Sequence, residues 1–200
     1  MNATKIQKAS MNFAKTFLAT AILTAASVGP AFAAPKVEIL GADYGGSGCP
    51  AGSASVTVSP DGQEVSILFD KYIAEAPSST GFRKTCNLTI PIKVPSGYQI
   101  SLFTADYRGY IAPNTSGTLR AEYFFAGERG PVFSRTLNGE QEYNVRHPLL
   151  AETWSRCGDS VNVRANTSMT SRGRGIATVD SLDFARRAGI IYHVKYRGCR

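Results

Sequence analysis

The residues of this 200-residue chain that could do chemistry are four cysteines, two histidines, a scatter of acids and a set of ring-bearing and guanidinium side chains. The cysteines are Cys49, Cys86, Cys157 and Cys199. Thiols can hold a metal, attack a carbonyl or pair as disulfides. Zinc sites draw on close pairs of the C-x-x-C kind. Here even the nearest two, Cys49 and Cys86, are far apart. An even number of widely spaced cysteines in an exported chain reads as disulfides. Four cysteines allow three connectivities, and loop entropy does not choose among them. Closing about 38 residues is worth ~4 kcal/mol, and closing about 150 only ~5 kcal/mol. We expect Cys49–Cys86 and Cys157–Cys199, because each pair brackets one self-contained group of strand signals. No metal and no cofactor are expected.

Catalytic patterns are thin. The chain has no G-x-S-x-G, H-E-x-x-H or G-x-x-x-x-G-K. A Ser-His-Asp triad would need His147, beside Pro148, or His193. Neither sits in an acid–base or nucleophile pattern, so both are read as structural. Paired carboxylates could hydrolyse a glycoside on a β-sandwich. Asp70, Asp106, Glu122, Asp180 and Asp183 are the candidates, and none forms a close same-face pair along one strand. The run Asp180-Ser181-Leu182-Asp183 reads as a turn or the cap of a short helix. The five glycines of residues 41–52 lack the lysine and helix of a phosphate loop; they read as an entry loop stapled by Cys49. No catalytic residue is expected.

Binding chemistry is better represented. Tyrosine and tryptophan stack on sugars through an apolar ring while the polar tip stays wet. Tyr107 and Tyr110, around Gly109, and the single tryptophan, Trp154, are the expected contact residues. The chain carries a net charge of +7. Much of it lies in residues 164–200, where Arg164, Arg172, Arg174, Arg186, Arg187 and Arg197, among others, meet only Asp180 and Asp183. Arg172 and Arg174 sit in a Gly-rich turn and cannot both be buried cheaply. They are expected to attract an anionic extracellular ligand such as a polysaccharide. Nucleic acid is excluded as a partner by export.

Positioning these residues is the task of strands. Composition allows one domain with a core: 43% of residues are hydrophobic, and the 18% that are charged are too few for a disordered chain. Lys5, Lys8 and Lys15 precede an apolar run, residues 17–28, and Ala31-Phe32-Ala33 offers the small-x-small pattern of a signal peptidase site. As a helix the run spans only about 18 Å, short of the ~30 Å hydrocarbon core. Residues 1–33 are therefore expected to be a cleaved signal peptide, and residues 34–200 one secreted domain with no transmembrane segment.

Beyond the signal, period-two alternation dominates. Residues 54–70 read as a hairpin around Ser59-Pro60-Asp61-Gly62. Residues 85–94 alternate through Cys86, Leu88, Ile90, Ile92 and Val94, although Pro91 points to an edge strand or a bulge. Further strands are expected at residues 98–102, 119–125, 161–169 and 190–196. Asn138-Gly139 is a strong hairpin signal. Helix is limited to single turns near residues 149–155 and 182–188. Many short strands at this spacing specify an all-β fold: an antiparallel β-sandwich, jelly-roll-like and disulfide-stapled. Asn87, Asn114 and Asn166 open N-x-S/T sequons.

Several blocks carry a family likeness. Gly48-Cys49-Pro50, Ser66-Ile67-Leu68-Phe69-Asp70 and Arg83-Lys84-Thr85-Cys86-Asn87-Leu88 are three of them. Ala105-Asp106-Tyr107-Arg108-Gly109-Tyr110, Asn166-Thr167-Ser168-Met169 and Thr178-Val179-Asp180-Ser181-Leu182-Asp183 are the others. Together with the four cysteines they resemble the secreted domain of unknown function family 4360, over residues 37–199. The resemblance implies a secreted four-cysteine domain and no activity. The expected function is thus a binding module for an extracellular or cell-wall ligand such as a polysaccharide. A glycoside-type hydrolase and an effector or surface protein that binds another protein are the alternatives.

Overall fold

Fifteen strands and no helix form among the described residues of the computed structural model, which are 37–60, 62, 64–76, 82–101, 104–147, 154–158, 160–184 and 196–199. All belong to one compact unit, Pro35–Arg200. The expected signal segment lies outside the described residues. In chain order the strands are β1 (Glu38–Ile39), β2 (Asp43–Gly45), β3 (Ala54–Val58), β4 (Val65–Phe69), β5 (Ile73–Glu75), β6 (Phe82–Lys93), β7 (Tyr98–Ile100) and β8 (Ala105–Ile111). They continue as β9 (Thr115–Phe125), β10 (Val132–Asn138), β11 (Gln141–His147), β12 (Ser160–Gly173), β13 (Ile176–Thr178), β14 (Ser181–Phe184) and β15 (Tyr196–Gly198).

Alternation decides which face each residue takes, because successive side chains leave a strand on opposite sides. β9 buries every second residue from Thr115 to Phe125. The buried sets of β4, β6, β8 and β12 meet those of β9 in one core containing Ile67, Leu88, Tyr107, Leu119, Tyr123 and Met169. Each large apolar side chain moved there contributes about 1.5–3 kcal/mol. Two antiparallel sheets enclose this core, giving the all-β, disulfide-stapled sandwich. The first runs β1-β6-β12-β9-β10, with β2 also on β6. The second runs β3-β4-β14-β8, with β11 on the far side of β8 and β13 linking β8 to β5. β7 and β15 form a separate two-stranded ribbon.

Disulfides join Cys49 to Cys86 and Cys157 to Cys199, with Cα separations of 5.4 and 5.8 Å. The first ties the loop after β2 to the middle of β6. The second ties the segment after Trp154 to the end of β15.

Three local expectations change. Pro91 does not mark an edge or a bulge: β6 is paired on both sides. Its carbonyl accepts from the Leu40 N–H at 2.9 Å, so the missing N–H points to that same side. There β1 has ended at Ile39 and β2 has not begun. Asn138-Gly139 makes a turn, with Gly139 at φ +73°, but no hairpin. β10 pairs with β9 in the first sheet, whereas β11 pairs with β8 in the second. Leu182 to Phe184, the described part of the turn expected at residues 182–188, lie in strand β14, with Leu182 and Phe184 in the core; residues 185–188 lie outside the described residues. The other expected helical turn falls on residues 149–155, of which 149–153 lie outside the described residues, as do residues 190–195 of the expected last strand.

Candidate functional site

At one end of the sandwich, three connections made wholly of described residues change sheets. The connections are residues 112–114 between β8 and β9, 139–140 between β10 and β11, and 174–175 between β12 and β13. They are tied together: the Gly139 N–H donates to the Thr115 carbonyl at 3.0 Å, and a Cβ at Gly173 would collide with the Asn114 carbonyl. Only glycine permits that approach at φ +115°.

This end gathers three of the five expected contact residues. Arg172, exposed, closes β12 opposite Ser116, and Arg174, exposed, lies in the next connection. Tyr110 points out from the second sheet and donates to Glu140 Oε1 at 3.1 Å. Partial burial and the neighbouring Glu140 carboxylate raise its phenol pKa. The other two lie elsewhere. Tyr107 cannot touch a ligand, which corrects the expectation for it. It is fully buried, and its hydroxyl bonds to that of Tyr123. Three positions apart on one strand, Tyr107 and Tyr110 must face opposite ways. Gly109 between them is no turn. It is the strand position over which the Tyr143 ring lies, and that ring's hydroxyl donates to the Thr178 carbonyl at 2.5 Å. Trp154 bridges to Ser101, on the side of the sandwich where β6 ends and β12 begins. The Arg197 guanidinium sits 4.3 Å from its ring centroid and occupies that ring face. Arg197 is itself held by Gln99 Oε1 at 3.0 Å.

From Arg172 the outward face of the first sheet continues as a grid of short polar side chains. Reading from β6 towards β10, one row holds Thr89, Arg164 and Phe124, and the next Asn87, Asn166, Glu122 and Val132. The third holds Thr85, Arg120 and Ser134 around Ser168, which its neighbours bury, the fourth Arg83, Thr170, Thr118 and Thr136, and the last Arg172, Ser116 and Asn138. Four of the five rows thus contain an arginine. Arg120 lies 3.7 Å from Glu122. Among the described residues, Arg83, Arg164 and Arg172 have no carboxylate within salt-bridge reach. Arg83 and Arg172 are diagonal neighbours across β6 and β12, about 7–8 Å apart, where like charges repel unless an anion lies between them. The remaining acids of this face, Glu38 and Asp43, are confined to the short edge strands.

The outward face of the second sheet is electrically closed by comparison. Asp106 and Asp183 are direct cross-strand partners, a same-face acidic pair built from two strands distant in sequence. Arg146 grips Asp106 through both oxygens at 2.8 and 3.0 Å, and Arg108 lies 3.9 Å from Asp183. Among the described residues no group of three or more His, Cys, Asp or Glu side chains could hold a metal ion.

His147 faces inward. Its ring stacks on Phe133 at 4.3 Å and tilts against Tyr123 at 5.3 Å, and its buried Nδ1 has no hydrogen-bond partner. Burial lowers its pKa below the ordinary value. The unfolded chain therefore takes up this proton first. Stability should be complete above about pH 6.5 and be lost as the pH falls through the lowered folded value. Melting curves above and below about pH 6.5 should show this fall in the wild type and a flatter profile in His147→Phe. An unchanged slope in the variant would show that His147 is not its source.

Residues 35–199 match the family described as Domain of unknown function (DUF4360). An uncharacterized secreted protein of Arthroderma benhamiae is 36% identical over 180 residues, covering 82% of this chain and 72% of that one. Among solved structures, TmCBM61 in complex with β-1,4-galactotriose is similar over 74% of this chain and 90% of its own, at 12% identity and a TM-score of 0.30. A family 11 carbohydrate-binding module from Clostridium thermocellum, in complex with a β-1,3-1,4-mixed-linked tetrasaccharide, matches over 80% and 100%, at 14% identity and a TM-score of 0.24. At such scores neither likeness bears on function.

Proposed function

The chain belongs to the DUF4360 family, and we propose that it is a secreted binding module that holds an acidic polysaccharide on the outward face of its six-stranded sheet. The contrast between the two faces carries this reading. On the second sheet each arginine of the Asp106–Asp183 row and its neighbour is matched to an aspartate. On the first, Arg83, Arg164 and Arg172 stand among hydroxyl and amide side chains, with no matching carboxylate among the described residues. Guanidinium groups make charge-assisted hydrogen bonds to carboxylate or sulfate, and the hydroxyls and amides between them suit the sugar hydroxyls. The hydrolase reading leans on Asp106 and Asp183, whose cross-strand spacing falls near the ~5–5.5 Å used by retaining glycosidases. Asp106 is held through both oxygens by Arg146 and Asp183 lies beside Arg108, so both carboxylates are engaged with arginines of their own sheet.

Binding to an acidic and a neutral polysaccharide at low and high salt tests the proposal. The acidic polymer should bind at 0.1 M salt, where the Debye length is about 10 Å, and dissociate at 1 M, where it is about 3 Å. Equal, salt-insensitive binding of the neutral polymer would overturn the electrostatic reading.

A further inference from the structure

Three asparagines open N-x-S/T sequons, and the fold treats them differently. Asn87 and Asn166 are direct cross-strand partners near the centre of the first sheet. Asn87 is paired on its other side with Gly45, and Asn166 with Glu122, so both lie in backbone ladders closed on two sides. The hydroxyl residue of the Asn166 sequon, Ser168, is only 2% exposed. β12 is also the last long strand to be made, and it inserts between β6 and β9, which are already present when it emerges. Asn114 is the opposite case. It is exposed at the turn between β8 and β9, beyond the first ladder residue, Thr115. It adopts φ +52°, a conformation asparagine tolerates better than most residues. Its side chain leaves from the sandwich rim, past the last row of the arginine-bearing face.

We propose that Asn114 is the N-glycan attachment site of this chain and that Asn87 and Asn166 stay unmodified. The donor class is an oligosaccharide linked to a lipid diphosphate. The Asn114 amide nitrogen forms a bond to the anomeric carbon of the first sugar. The bond from that carbon to the diphosphate oxygen breaks, the lipid diphosphate leaves with the electron pair, and the amide loses one proton to the transferase's base. The assignment is independent of the polysaccharide reading.

The test is intact-mass analysis of the full chain secreted from an N-glycosylating host, before and after an amidase that releases the glycan and leaves aspartate at its site. Peptide mapping should find aspartate at position 114 only. Asn114→Gln should abolish the mass shift. Ser116→Ala, which breaks the sequon without touching the Asn114 backbone, should abolish it as well. Asn87→Gln and Asn166→Gln should leave it unchanged. Conversion at 87 or 166, a shift that survives Ser116→Ala, or secreted wild type with no shift at all would each overturn the proposal.

Discussion

Replacing Cys49 and Cys86 together by alanine should lower the free energy of unfolding by about 4 kcal/mol, within a range of roughly 2–5 kcal/mol. The two are 37 residues apart in sequence, and both are completely buried. The bridge restrains the unfolded chain, and its neighbourhood gives it a folded-state role too. The Tyr72 ring packs on Gly48, where a Cβ would clash with it. The Tyr72 hydroxyl bonds to Thr167 Oγ1 at 2.9 Å, and that hydroxyl donates to the Cys86 carbonyl at 2.9 Å. Burial raises the Tyr72 pKa, so the phenol stays protonated in this network. The disulfide, Tyr72 and Thr167 thus pin the loop after β2 and the loop after β4 to the two central strands of the first sheet. Denaturant unfolding of the double variant checks this. A loss below about 1 kcal/mol would mean that β2 and the entry loop are held by packing alone.

Most of the sandwich is legible in the sequence because strand alternation is a local signal. The hairpin of residues 54–70, the β9 pattern and the long run through Cys86 to Ile92 follow from neighbours two apart. What is not local is harder to see. Asn138-Gly139 announces a reversal but cannot say that the chain returns in the other sheet. Pro91 looks like an edge residue because nothing nearby shows that two short strands share the flank of β6. Gly109 looks like a turn because the Tyr143 ring that needs its empty side comes from another strand.

The candidate site divides in the same way. Alternation alone was enough to separate Tyr107 from Tyr110, since residues three apart on a strand cannot share a face. Arg172 and Arg174 are exposed, as their turn composition suggests. Nothing local marks Arg83, Arg120 and Arg164 as a group. Each is visibly outward on its own strand, yet only the order β6-β12-β9 puts them side by side. The Asp106–Asp183 pair is hidden for the same reason, because register between strands distant in sequence leaves no local trace.

The central claim is that one face of the sandwich, and not the molecule's general positive charge, holds the ligand. Titrating an acidic polysaccharide at 0.1 M salt into wild type, the triple variant Arg83→Ala/Arg164→Ala/Arg172→Ala and the single variant Arg108→Ala tests it most directly. Exposed charge contacts are worth about 0.5–1 kcal/mol each, so losing three should weaken binding roughly tenfold to a hundredfold. Arg108→Ala, on the opposite face, should bind within about twofold of wild type, because its charge lies on the far side of the core, beyond about one Debye length. A folded triple variant that binds like wild type, or an Arg108→Ala protein that loses affinity as the triple variant does, would contradict the assignment of the ligand to the six-stranded face.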